Sequence, residues 1–540
     1  MATGGGAVPG MGDPGMTLRE LAAGPPLDVA VVGGGINGCA IAEEAAARGL
    51  RVALFEQDDF GFGTTWRSTK LIHGGLRYLE HGDIGLVFES LRERAWLLRT
   101  RRHLVRPQRF VLPVLPWTRR PGWQLAAGLS LYDALAYERS VPAHQRLSER
   151  ALREAAPFLA GGTSGGFTFY DARVLSPERL ALELALESER RGGDVFNHSR
   201  VERIVAEGGR VRAVDVCGAD GEKVTVATRA VVNAGGPWVD AVNEVTGLPL
   251  PALLGVTRGT HIVVELPGPV PKDAVFSTAR GDGRVFFSVP QGRLLLVGTT
   301  DVRFDGPAGD VRPTEEDVAY LLREADVLFP ALGVTRDRVR YAYAGLRPLP
   351  EVKGGPEAAI SRRHAVIGHG KEGAAGLYSI VGGKLSTFRP LAREVVARLK
   401  PVLRRAEPKD RQIPVREQAW VLALLATVAP GASREHLRVY GAEVASVVAQ
   451  GAAVLCGHAG AVEGEIAHAV AREHALTLSD ILMRRTGVAW GACRGLCCHE
   501  RAAALAGPQL GWGDEEQKRQ VRAFEADVAY HLPSFSGEAE

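Results

Sequence analysis

The hydrophobic pattern is clearest near the amino end, where residues 27–32, LDVAVV, form a short apolar run of buried-strand type. That run leads directly into Gly33-Gly34-Gly35-Ile36-Asn37-Gly38, and the Ala-rich stretch 39–48 that follows predicts a helix ended by Gly49. A second apolar run, 51–55, finishes at Glu56. Further along, 230–236 predicts a strand entering a glycine turn. Residues 285–289 and 293–298 predict a hairpin around Pro290-Gln291-Gly292. A second glycine turn, 382–387, precedes a helical pattern over 391–399. Beyond residue 400, PVLRRAEPKDRQIP reads as a linker to helices at 417–427, 435–450, 464–485 and 515–532.

The first unit carries chemistry. Gly33 allows the tight turn, Gly35 lets the backbone approach a pyrophosphate, and Gly38 lets the helix pack closely. The phosphates would lie at the positive helix end, and Glu56 would accept hydrogen bonds from the adenosine ribose. Its negative charge disfavours a 2′-phosphate, and hence NADP. A lone glycine motif also occurs in ordinary strand-to-helix turns, but both strands and the acidic residue point to a dinucleotide, NAD or FAD. The segment 64–78, TTWRSTKLIHGGLRY, has neither helical nor strand periodicity and is either a long surface loop or a cofactor cradle.

Composition narrows the partners. The 540 residues suffice for two or three domains. Lys plus Arg total 65 against 62 Asp plus Glu, too balanced for a nucleic-acid partner. Six cysteines make no disulfide framework in so long a chain, and the grouping of Cys493, Cys497 and Cys498 suggests reduced thiols in a cytosolic setting. Residues 1–27, rich in Gly, Pro and Ala, read as a flexible tail without a secretory signal. Nothing approaches the roughly 18 apolar residues of a spanning helix, so membrane contact would be peripheral.

Taken together, GGGINGxxIAxxAAxRGL, SxKLIHGGLRYLEH, NAxGPWV, THIVV, GTTD, GLRPL and GGKLxT resemble FAD-dependent glycerol-3-phosphate dehydrogenase over about residues 28–398. EHALTLSDILMRRT, 473–486, resembles that family's carboxy-terminal domain. The resemblance implies an α/β fold: a doubly wound, glutathione-reductase-type FAD domain (28–100, 165–250 and 360–400), an antiparallel-sheet substrate domain (101–164 and 251–359) and a helical domain (401–540). Implied FAD contacts are Gly33, Gly35, Gly38, Glu56, Ser68, Lys70, Leu71, His73, Gly75, Gly382, Gly383, Leu385 and Ser386. Arg77, Tyr78, Arg347, Arg362 and Lys384 would surround the substrate, since a phosphate dianion needs charge-assisted hydrogen bonds. His261 is the preferred proton acceptor for the C2 hydroxyl, being near neutrality when unperturbed. Arg347 would steady the developing alkoxide, and Lys384 would serve either the phosphate or the reduced flavin.

The expected partners are glycerol 3-phosphate and a membrane quinone, or oxygen if the protein is an oxidase; a homodimer is also in view. The expected location is cytoplasmic, on the inner face of the cell membrane. Arg101, Arg102, Arg106, Arg109, Arg119 and Arg120 among Trp117, Trp123, Leu125, Leu129 and Leu131 suit either an anionic membrane surface or a solvated rim. Cys456, His458, Cys493 and Cys498 fall where the anaerobic type of this dehydrogenase has CxC and CxxxxC, implying an iron–sulfur or other metal centre; the alternative is buried apolar cysteine. Rival functions are an amine or amino-acid oxidase and a flavin electron-transfer subunit.

Overall fold

The computed structural model describes residues 16–351, 363–403 and 431–531. Its first layer is a six-stranded sheet in the order Ala365–Gly368, Leu377–Val381, Val231–Asn233, Val29–Val32, Val52–Phe55 and Asp194–Phe196. Every pair is parallel except the first. The central strands read as continuous apolar runs because helices Ile36–Ala47, Pro177–Arg190 and Phe388–Leu403 share their core. The helix Ile36–Ala47 starts where the glycine turn ends, and Gly49, at φ +71°, follows its last turn.

The second layer is a ten-stranded sheet. It is antiparallel apart from the pair Ala274–Thr278 and Val105–Pro113, a departure from the purely antiparallel expectation. Its heart is the long pairing of Leu254–Glu265 with Val339–Pro350, which sets His261 opposite Tyr343 and Thr257 opposite Arg347. Side chains alternate along such strands, so Tyr341, Tyr343, Gly345 and Arg347 share one face. A Cβ on Gly345 would sit 2.4 Å from the Arg67 carbonyl, so only glycine admits the loop to this face. The predicted hairpin forms, but Pro290 and Gln291 stay within the strand, leaving Gly292 and Arg293 as a tight turn.

Several sequence expectations change. Residues 16–27 are not a free tail: Thr17 and Glu20 form a capping box on the helix Leu18–Ala23, whose Leu18 and Leu21 are buried against the sheet Arg200–Glu207, Arg210–Cys217, Lys223–Ala227. The strands Leu71–Ile72 and Gly166–Val174 belong to the ten-stranded sheet and not to the nucleotide domain. The helix expected over 464–485 stops at Arg472. His474 takes φ +54°, and Asp480 accepts from the Leu476 and Thr477 amides to begin the π-helical turn Asp480–Arg485. The helix expected over 435–450 breaks at Gly441, whereas 515–532 forms as Asp514–Tyr530. The helix expected over 417–427 lies outside the described residues. No helix among the described residues is long and apolar enough to cross a membrane.

Candidate active site

Two cavities of about 200 and 340 Å³ share Ser68, Gly382, Gly383, Lys384 and Leu385 as walls, forming one elongated cleft. Gly33, Gly35 and Glu56 line the smaller part. Glu56 accepts from the Gly34 amide at 2.5 Å and the Asp58 amide at 2.9 Å. Burial pushes its carboxyl up to about 7, against those two hydrogen bonds. Gly38 does not line the cleft; a Cβ there would meet the Gly33 carbonyl at 1.8 Å, so it permits the turn itself. Lys70 does not line it either, its ammonium lying 3.9 Å from the buried Glu178 carboxylate.

The larger part brings together Leu71, His73, Gly75, Tyr78, His261, Arg347, Lys384 and Ser386. His261 is buried, 3.0 Å from Thr69 Oγ1 through Nε2, and its Nδ1 has no hydrogen-bond partner. Burial, then the charges of Arg347 and Lys70, lower its pKa to about 3, so the ring is neutral. Arg347 donates to Asp301 Oδ1 at 2.9 Å and to Thr299 Oγ1 at 3.2 Å. Lys384 Nζ lies 3.6 Å from the centre of the Tyr78 ring. Arg77 sits in the short helix Leu76–His81, its side chain outside the described set, and Arg362 lies outside the described residues.

Four contributors escaped the sequence reading. Thr69 touches His261, Asp301 holds Arg347, Tyr343 stacks on His261 at 5.0 Å, and Arg284 lines the cavity. The GTTD motif contained Asp301, and register with His261 identifies Tyr343, but neither signal names a role.

In the C-terminal domain, Cys456 Sγ lies 3.6 Å from Cys493 Sγ and 3.5 Å from Cys497 Sγ. His458 is exposed, outside this group, and Cys497 takes the place expected for it. The tight turn Cys456–Gly460 leaves the imidazole in solvent, while the turns after Trp490 bring Cys493 and the exposed Cys497 up to the buried Cys456.

A cleft with a glycine-turn backbone and a buried carboxylate at one end, opening on a neutral histidine and two cations at the other, fits FAD and defines an FAD-dependent oxidoreductase. Residues 28–389 match the family model of the DAO FAD dependent oxidoreductases, and 411–517 match the C-terminal domain of alpha-glycerophosphate oxidase. Glycerol-3-phosphate dehydrogenase of Synechocystis sp. is 35% identical over 536 residues, covering 92% of this chain and 95% of that protein. D-erythritol 1-phosphate dehydrogenase of Brucella abortus is 36% identical over 479 residues, covering 85% and 94%. Among solved structures, glycerol-3-phosphate dehydrogenase from Bacillus halodurans complexed with FAD superposes with a TM-score of 0.76 at 27% identity, over 96% of this chain and 97% of that one. The chain belongs to the FAD-dependent glycerol-3-phosphate dehydrogenase family.

Proposed function

We propose that the protein oxidises sn-glycerol 3-phosphate to dihydroxyacetone phosphate and passes the two electrons to a membrane quinone. The observation that carries this is the neutral, buried His261 in one cavity with Arg347 and Lys384, beside the dinucleotide cleft. Two cations suit a phosphate dianion, whereas the ammonium of an amino acid would be repelled. FAD, when bound, supplies the acceptor for the C2 hydride. His261 takes the C2 hydroxyl proton, since it lines this cavity and its neutral ring can accept one. Arg347, held by Asp301 and Thr299, is fixed where alkoxide charge develops.

Anaerobic bleaching of the flavin absorbance tests this, with glycerol, D-erythritol 1-phosphate and D-amino acids as comparisons. Rapid bleaching by glycerol 3-phosphate is expected. Faster bleaching by the four-carbon phosphate would reassign the substrate, and a flavin that stays oxidised with both phosphates would overturn the reading. Peroxide formed in stoichiometric amount with product would replace quinone by oxygen.

Access to a membrane acceptor is supported by the helix Gly122–Leu135, which is apolar along most of its length yet buries only Leu129 and Tyr132. Trp123 and Leu131 on it, Phe88 and Ile84 on the neighbouring helix Ile84–Thr100, and Tyr137 are exposed. The basic part of the expected surface shrinks. Arg101 is buried with Glu183 and Glu187, Arg106 pairs with Glu435, Arg109 with Asp273, and Trp117 packs on Arg280. Replacing Trp123 and Leu131 by Ser should weaken sedimentation with anionic vesicles by about tenfold or more, since each large apolar side chain contributes ~1.5–3 kcal/mol on burial. Equal sedimentation would remove this face from consideration.

The thiols support a metal centre. The ligand atoms of Cys456, Cys493 and Cys497 lie within 4.8 Å of one another, while the Cys498 thiol donates to the Gly495 carbonyl at 3.4 Å. A thiolate set of this kind suits zinc or an iron–sulfur cluster. Protein purified anaerobically should contain stoichiometric zinc or iron that Cys456→Ser removes. A metal-free protein whose melting is indifferent to added zinc or iron would leave these as packed thiols.

A further inference from the structure

We infer that Trp490, carried by the C-terminal domain, is a positioning residue for His261. This rests on the proton-accepting role proposed for that histidine. The Trp490 ring stacks on Trp66 with centroids 4.3 Å apart and planes 26° from parallel. Trp66 leans on Tyr343 at 5.2 Å, and Tyr343 stacks on the His261 ring at 5.0 Å and 21°. The contact is therefore a continuous file of rings, from the C-terminal domain to the reacting imidazole.

Hydrogen bonds fix the file at each step. The Trp490 carbonyl accepts from the Tyr341 hydroxyl at 3.0 Å, and the indole N–H groups of Trp490 and Trp66 donate to the Met483 and Phe62 carbonyls, each at 2.8 Å. Tyr343 donates to the Ser68 carbonyl at 2.7 Å, one residue before Thr69, whose hydroxyl meets His261. Trp490 thus bears on both elements that hold His261: the loop from Trp66 to Thr69 and the strand Val339–Pro350. His531, from the end of the last described helix, sits edge-on to Trp66 and Trp490 at 5.1 and 5.4 Å, and its carbonyl accepts from the Ala342 amide.

Interiors packed at this density transmit a missing ring to its neighbours. Removal of Trp490 frees Trp66 to move, and the Ser68 and Thr69 backbone moves with it. Displacements of that size at a proton-accepting group have large kinetic consequences even when the changed residue touches no ligand. A C-terminal domain that served only as a stabilising support would need no stacked contact with the catalytic strand.

The test uses the full FAD-loaded chain with Trp490→Leu and Trp490→Phe. In single-turnover reduction by glycerol 3-phosphate, Trp490→Leu should slow the step by about tenfold with little change in the substrate concentration at half-saturation, and Trp490→Phe should restore most of the rate. A second readout is independent of substrate and flavin: carbethoxylation of His261 in the FAD-free protein, followed by peptide mass spectrometry. His261 should be protected in the parent and label about tenfold faster in Trp490→Leu, while the exposed His458 labels at the same rate in both. Lower thermal stability with unchanged reduction and labelling would overturn the inference, as would a Phe variant as impaired as Leu. Should Trp490→Leu not fold, His531→Ala removes only the edge-on neighbour, and it should give the same pair of changes to a smaller degree; no change in either readout overturns the inference. If the parent flavin is not reduced by glycerol 3-phosphate, the functional reading falls while the labelling result still decides the positioning.

Discussion

Replacing His261 by Ala should lower the rate of flavin reduction by about 10²–10⁴-fold while leaving FAD bound, because a positioned acid or base contributes that much and the residue lines the substrate end of the cleft. Anaerobic stopped-flow measurement on protein of known flavin content checks both halves. The pH dependence sharpens the expectation. Burial first, then Arg347 and Lys70, hold the ligand-free imidazole near 3. A base works when unprotonated, so second-order reduction should show no acid limb from His261 in the ordinary imidazole range near 6.5. Arg347→Gln removes one of the depressing charges, so the limb should move up toward neutrality as the rate falls. A parent profile that already bends near 6.5 and loses that bend in His261→Ala would show an imidazole less desolvated than its surroundings require. A bend that persists without His261 would belong to another group.

The amino-terminal half of the cleft was legible because its signals are local. Strand, glycines, helix and Glu56 follow one another within about thirty residues, the span of one strand–helix–strand unit. The larger cavity is different in kind. His261 and Arg347 lie on paired strands, and their shared face depends on a register that no local pattern encodes. The family motifs supplied the residues, but not that Thr69 meets His261 or that Asp301 holds Arg347. Charge was misread for a related reason. Arg101 looks like a surface arginine in sequence, yet Glu183 and Glu187, more than eighty residues away, make its burial tolerable. The helical pattern over 464–485 likewise concealed a break whose cause lies elsewhere. Glu473 is drawn into a buried pair with Arg179, and the buried Asp480 into a pair with the half-buried His198.

Buried ion pairs also hold the junction between the nucleotide and C-terminal domains, and Asp59→Ala should destabilise it by about 3–5 kcal/mol. Asp59 is fully buried and accepts from Arg484 at 2.6 Å, from Arg485 at 2.6 and 2.8 Å, and from Asn197 at 2.9 Å. Removing the carboxylate leaves the Arg485 guanidinium buried without that partner, which costs more than the pair itself contributes. Replacing Asp59 and Arg485 together by Leu and Met should therefore recover much of the loss in urea unfolding. Burial pushes the carboxyls of Asp59, Asp480 and Glu473 up, but the facing Arg485, His198 and Arg179 outweigh it and hold all three below their ordinary range. Their stabilisation is thus present above the unfolded carboxylate range near 4 and lost as pH falls through the depressed values. His198, raised by its bond to Asp480 against the effect of burial, contributes oppositely: its share is full below about 6.5 and lost as pH rises through its raised value. The junction should accordingly be firmest in mildly acidic solution. The same loop borders the glycine-turn end of the cleft, since Ser199 lines it, the Ser199 amide donates to the Glu56 carbonyl and the His198 amide donates to the Asp58 carbonyl. Asp59→Ala should therefore weaken FAD binding as well as the domain contact, whereas a variant that loses stability but keeps FAD affinity would separate the two.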